Sequence, residues 1–193
     1  MMTTRRSFLM GGAGVCAAAA LPSWAGLLEP SCGGARSMLL FADRADMFLH
    51  GLDAETMVER RSLSLDMAAD SAHVEGAALQ AAGHSALVAL GTPAVVFALR
   101  TQLGSHWRVI VQGLHGADGQ GVHRLEAPAV LASALSGVLA QARSEDEFAT
   151  VLMSLAGKGR GVSLAERSTL RLRSQPWDGL ARASLLAWPM RGA

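Results

Sequence analysis

The segment from Ser85 to Val111 does most to restrict what this chain can fold into. It opens with "SALVAL", Ser85 to Leu90, an apolar run whose length suits a buried strand. The turn "GTP" follows, and Pro93 is tolerated in the first turn of a helix because its missing N–H would have had no intrahelical partner there. The helix is predicted to run to Leu103 and to end at Gly104, and "WRVIV", Trp107 to Val111, is the next buried strand. Strand, helix and strand in this order predict parallel strands joined by a right-handed crossover. That places the chain among α/β folds.

The remaining elements extend the same picture. "SMLLFA", Ser37 to Ala42, reads as a buried strand. Asp46 to Leu65 reads as a hairpin, with Asp53, Ala54, Glu55 and Thr56 in the turn and alternation from Ser62 to Leu65 on the second arm. The turn resembles that of a β-propeller blade, but it occurs once, and a propeller needs repeats. Ser71 to Ala82 is Ala-rich and predicts a helix stopped by Gly83. Two helices follow the glycine-rich stretch after Val111. In the first, Leu131, Leu135, Val138 and Ala142 share a face. The second opens on a capping box, Ser144 with Glu147, carries Phe148, Val151, Leu152 and Leu155 on one face, and stops at Gly157. "STLRLR" and "ARASLLAWPM" predict two strands paired as a C-terminal hairpin. The order βββαβαβααββ gives a mixed α/β (α+β) domain: a mixed sheet with a central βαβ unit and helices packed on it.

The N-terminus addresses destination. Arg5 and Arg6 precede Ser7, Phe8 and Leu9, and no charged residue occurs from Ser7 to Leu28. Thr4 to Leu9 resembles a twin-arginine (Tat) signal peptide, with Arg5, Arg6, Phe8 and Leu9 as recognition residues; Met10 departs from the pattern at a commonly basic position. The apolar stretch from Phe8 to Leu21 is of signal-peptide length, shorter than an ordinary membrane span and diluted by Gly11, Gly12 and Gly14. "SWA", Ser23 to Ala25, is a small-x-small site, so cleavage is expected after Ala25. Neither Cys16 nor Cys32 follows a lipobox. The expected organisation is a signal peptide over 1–25, a flexible mature N-terminus over 26–36 and one globular domain over 37–193. The resemblance implies recognition by the Tat translocase, a soluble periplasmic product without stable membrane association after cleavage, and export in the folded state. Folded export often serves proteins that load a cofactor or a partner first.

Composition narrows the function classes. Loss of Arg5 and Arg6 lowers Lys plus Arg from 17 to 15 against 16 Asp plus Glu, a net charge of −1, which is no footprint for nucleic acid or acidic lipid. Cys32 is the single cysteine left after cleavage, so an intramolecular disulfide is excluded. There is no tyrosine, and few other aromatics remain for stacking platforms.

The richest stretch for chemistry is "VIVQGLHGADGQGVH", residues 109–123. It is predicted to leave a strand at Gln112, and ligands of open α/β sheets bind beyond the carboxyl ends of their parallel strands. His115, Asp118 and His123 form an imidazole and carboxylate set suited to a divalent ion such as zinc, with the glycines letting the backbone bring them together. The same residues suit a flexible surface connection better, and H-x7-H is no established metal signature. At Gly91 and Thr92 the strand–turn–helix "ALGTPAVV" presents backbone N–H groups to an anion or small ligand and locally resembles periplasmic substrate-binding proteins. Those proteins need a second lobe, for which this chain is short. Ser85 falls before its strand, whereas a nucleophile elbow places the serine after one. Lys158 and Arg160 lack Walker spacing, and Met47 with His50, a thioether and imidazole suited to copper, fall on opposite faces of a strand.

Three function classes fit: a non-catalytic periplasmic accessory or small-ligand-binding protein, a small metal-assisted enzyme using His115, Asp118 and His123, and a subunit without a site of its own, exported with a cofactor-bearing partner. The first fits the residues best.

Overall fold

The computed structural model describes residues 36–44, 46, 47, 49, 52, 56–64, 66, 84–103, 107–116, 121–158, 166–173, 177 and 181–190. The signal segment, Cys32, the helix expected over 71–82, His50, Asp118 and Arg160 lie outside the described residues.

Three strands open the sheet: β1, Arg36–Ala42; β2, Thr56–Ser62; and β3, Ala86–Gly91. β1 pairs in parallel with β2 and with β3, with Met38 beside Val58 on one side and Ala86 on the other. This corrects the hairpin expected over Asp46–Leu65. Its second arm pairs with β1 rather than with residues 46–50, and of these the described Asp46, Met47 and Leu49 form no strand. A parallel pair needs a connection of a dozen or more residues, which the chain from Asp43 to Glu55 supplies.

The expected helix follows β3 as α1, Pro93–Gln102, with Thr92 as its extended N-cap and Pro93 opening its first turn. It ends one residue earlier than expected, and Leu103 closes it by donating its N–H to the carbonyl of Leu99 at 3.0 Å. Val95, Val96 and Leu99 are buried against the sheet.

β4, Trp107–His115, and β5, Val122–Pro128, form an antiparallel hairpin. The expected strand ended at Val111, with a loop over Gln112–His123; the strand in fact continues through Gln112, Gly113 and Leu114 to His115. Glycine and polar residues inside the strand conceal it, because they break the apolar run that signals one. The glycines that do turn the chain are Gly116 (φ 66°) and Gly121 (φ 68°), in the left-handed region that favours glycine, and Gly116 N–H donates to Val122 O at 2.9 Å.

Helices α2, Ala129–Gln141, and α3, Glu145–Lys158, follow. α2 buries Leu131, Ala132, Leu135 and Leu139, with Val138 only half-buried. At the start of α3, Ser144 Oγ accepts the N–H of Glu147 at 3.2 Å. The Glu147 carboxylate accepts the N–H of Arg143 at 2.7 Å, one residue before the partner a standard capping box would use. Phe148, Leu152 and Leu155 are buried, and α3 runs one residue past Gly157.

The last strands are β6, Arg167–Arg173, and β7, Arg182–Pro189. They do not pair as the expected hairpin. The sheet order is β2-β1-β3-β7-β4-β5-β6, with β7 inserted antiparallel between β3 and β4, and β6 at the edge beside β5. The physical reason is legible in the side chains. Beyond Ser184, β7 is apolar on both faces, so a central position buries it, whereas β6 alternates arginine with residues that one helix layer can cover.

Strands β3 and β4 are both antiparallel to β7 and therefore parallel to each other, as the βαβ unit requires, with β7 lying between them. The result is the mixed α/β domain expected from the sequence. Met38, Leu40, Val88 and Leu186 face a core shared with α2 and α3, while Leu39, Phe41, Leu87 and Leu185 face α1. Among the described residues no helix is long and apolar enough to cross a membrane.

Candidate functional site

Parallel strands β1 and β3, together with β4, finish at one end of the sheet, where antiparallel β7 and β5 begin. Asp43 follows β1, Gly91 and Thr92 close β3, His115 closes β4, His123 lies at the start of β5, Arg182 opens β7 and Glu145 opens α3. The buried polar side chains among the described residues are His115, His123, Glu145, Arg182 and Ser184, and all five gather here. Burying polar groups is costly unless they are bonded, so their bonds define the site.

The first group centres on Arg182. Its Nη2 and Nη1 donate to Asp43 Oδ1 at 2.6 Å and Oδ2 at 3.0 Å, and its Nε donates to Glu145 Oε1 at 2.9 Å and Oε2 at 3.0 Å. One guanidinium fork thus holds two carboxylates. Burial alone would lower the Arg182 pKa, but the bonds to Asp43 and Glu145 outweigh it and raise the guanidinium above its ordinary value. Burial likewise raises the Glu145 carboxyl, against the opposing pull of Arg182. Arg44 adds a longer contact, 3.7 Å from Glu145 Oε2.

Asp43 also accepts the backbone N–H of Thr92 through Oδ2 at 3.0 Å. Gly91 and Thr92, expected to receive an anion, therefore already meet a carboxylate of this chain at the positive end of α1. A Cβ at Gly91 would stand 3.2 Å from Asp43 Oδ2, so the glycine permits that close approach.

The second group is the histidine pair. His115 and His123 are directly opposed across the hairpin, and their Nδ1 atoms are 3.0 Å apart. On its other side His115 Nε2 lies 2.9 Å from Ser184 Oγ. Trp177 covers both rings, with centroid distances of 4.6 Å to His115 and 4.8 Å to His123, and Phe148 packs edge-on against His115. Burial first, then the proximity of His123 and Arg182, pushes the His115 pKa down to about 3, so the ring is neutral at neutral pH. The 3.0 Å separation lets one proton be shared between the two Nδ1 atoms. Ser184 can donate to Nε2 while His115 donates to His123, or the whole chain of bonds can run in reverse.

Ser184, His115 and His123 are thus aligned like a nucleophile, a base and an orienting group. Ser184 is fully buried, however, and a ring titrating at about 3 is a poor general base at neutral pH.

Of the residues expected from sequence to bind metal, the structure brings His115 and His123 together, and Asp118 lies outside the described residues. Among the described residues no group of three or more potential ligands gathers. Ser85 donates through Oγ to Ser37 O at 3.0 Å and ties β3 to β1. Met47 is buried in the core, and Lys158 ends α3.

Sequence reasoning missed Asp43, Glu145, Arg182, Ser184 and Trp177. Asp43 carried a signal, because it stands immediately past the carboxyl end of an apolar run, where open sheets place functional groups. Glu145 was hidden inside a capping sequence, and Ser184 inside a strand.

The chain was compared with protein-family models, with curated proteins and with solved structures, and it matches none of them.

Proposed function

We propose that this chain is an exported periplasmic accessory or small-ligand-binding protein that performs no catalysis of its own. The observation that carries this reading is the closure of the polar end of the sheet on itself. Asp43 and Glu145 are both engaged by Arg182, and Ser184 is engaged by His115. These bonds fix a rigid polar end but commit its acids and its hydroxyl to structure. Export by the Tat translocase rests on Arg5 and Arg6, with cleavage after Ala25.

The test is to replace both arginines with lysine and to isolate untagged protein from each cell fraction. The wild type is expected in the periplasm, beginning at Gly26, with a small ligand or a partner chain retained in native mass spectrometry. The double-lysine precursor is expected to stay in the cytoplasm. Normal export of that variant would overturn the Tat assignment. Turnover of ester or phosphate substrates that is lost in Ser184→Ala would overturn the non-catalytic one.

A second reading is favoured by the two Nδ1 atoms 3.0 Å apart. If His115 keeps its proton on Nε2 and donates it to Ser184, the two Nδ1 lone pairs could converge on a divalent ion beside them, once the rings part from 3.0 Å to the roughly 3.3 Å that two bonds of about 2.0–2.1 Å at a tetrahedral angle span. Asp118, between the two histidines in the sequence, would then be the third ligand of a metal-assisted site.

A further inference from the structure

Among the described residues strand β6 forms one edge of the sheet and pairs with β5 alone. Leu170 and Leu172 turn towards the core under α2, so alternation puts Arg167, Thr169, Arg171 and Arg173 on the opposite, exposed face. On β5, Leu125 and Ala127 face the core, which puts Arg124 and Glu126 on the same exposed face as those arginines. Arg124 stands directly opposite Arg171. The one acidic residue of the two strands, Glu126, is already held by Arg167 Nε at 2.9 Å. Arg124, Arg171 and Arg173 thus form a basic patch beside an open strand edge.

Like charges directly opposed across a sheet are destabilising. Arginines on an edge strand do guard against unwanted pairing, and that accounts for β6. It does not account for Arg124, which lies one strand in from the edge and guards nothing. The basic patch is also spaced at the period of a strand, and it lies beside backbone that no described strand pairs with.

We propose that the β6 edge docks an extended acidic segment of a partner protein, added antiparallel or parallel as an eighth strand. The added strand would lie about 4.8 Å from β6. Acidic residues at alternate positions would then stand beside Arg171 and Arg173, with Arg124 reinforcing the field behind them. This deepens the accessory reading and rests on it by supplying the surface through which a co-exported partner is held. Peptide binding and export are measured separately, so either can fail without the other.

The test uses the mature protein and a labelled peptide of about nine residues alternating Glu and Thr, long enough to match a typical strand. Fluorescence anisotropy is expected to show saturable binding that weakens in about 0.5 M salt, where screening is strong. Arg171→Glu with Arg173→Glu is expected to weaken it about tenfold or more, equivalent to about 1.4 kcal/mol, and Arg124→Glu to weaken it less. A peptide N-methylated at alternate amides, on the side facing β6, is expected not to bind, because its ladder donors are gone. Equal binding of the methylated peptide would overturn strand addition. Absence of binding by the parent peptide would overturn the proposal and leave the arginines as edge protection. So would arginine-dependent binding to phosphatidylglycerol vesicles without peptide binding, or self-association of the chain through this edge that the peptide does not displace.

Discussion

His115 and His123 face each other across the β4–β5 hairpin with their Nδ1 atoms 3.0 Å apart, sealed beneath Trp177. The closed pair makes the fold sensitive to acid. The His115 pKa falls from 6.5 in the unfolded chain to about 3 in the folded one, so between those values the unfolded state binds the extra proton. Its contribution to stability is therefore complete above pH 6.5 and is lost as pH falls towards 3, with a slope of up to about 1.4 kcal/mol per pH unit. Glu145, raised by burial, acts in the opposite direction above the ordinary carboxylate range, so the histidine must be isolated by substitution. Urea midpoints measured from pH 7 to pH 5 are expected to fall in the wild type and to fall less steeply in His115→Gln. Parallel slopes in the two proteins would mean that His115 is not held neutral.

Gly113 is expected to be intolerant of any side chain. Its backbone is ordinary, but a Cβ there would collide with Ser184 Oγ and stand 2.5 Å from His115 Nε2. Gly113→Ala should cost about 1–3 kcal/mol through overpacking. Ser184→Gly in the same chain should recover part of the loss by removing the struck atom. If thermal denaturation shows no recovery in the double variant, the contact with Ser184 is not the cause.

Arg182 holds two carboxylates, and its loss leaves both without their principal partner. Arg182→Leu is expected to destabilise by about 3–5 kcal/mol, the usual cost of stranding a buried ion. Asp43→Asn, which retains an acceptor for Thr92 N–H, should cost less. Equal and small losses, within about 0.5 kcal/mol, would place this cluster among solvent-screened surface pairs.

Leu152 lies fully buried on the inner face of α3, as its helical spacing from Phe148 and Leu155 indicated. Leu152→Ala is expected to cost about 2–5 kcal/mol in chemical denaturation. A loss of less than about 0.5 kcal/mol would contradict the packing of α3 on the sheet.

What the sequence made legible was set by local periodicity. Strands β1, β3 and β4 begin within one residue of the expected runs, and α1 starts at its proline. Helices α2 and α3 were readable from their faces and from Ser144 with Glu147. Partnership between strands was less legible, because it depends on which distant segments meet. The central place of β7 could have been inferred from its two apolar faces. The parallel pairing of β2 with β1 left no trace in either strand alone. The candidate site followed the same division. His115 and His123 were chosen for their chemistry and do meet, whereas Arg182, Asp43 and Glu145 come together only through the order of the strands.

The most direct measurement is metal analysis combined with native mass spectrometry of the untagged chain isolated from whichever cell fraction holds it, before and after dialysis, for wild type, His115→Ala and His123→Ala. A chain beginning at Gly26 that carries an organic ligand or a partner protein, with the His115–His123 pair sharing a proton rather than a metal, is the result expected of an accessory or binding protein. One divalent ion per chain that survives dialysis, raises the melting temperature and disappears in both histidine variants would contradict it and establish the metal site instead.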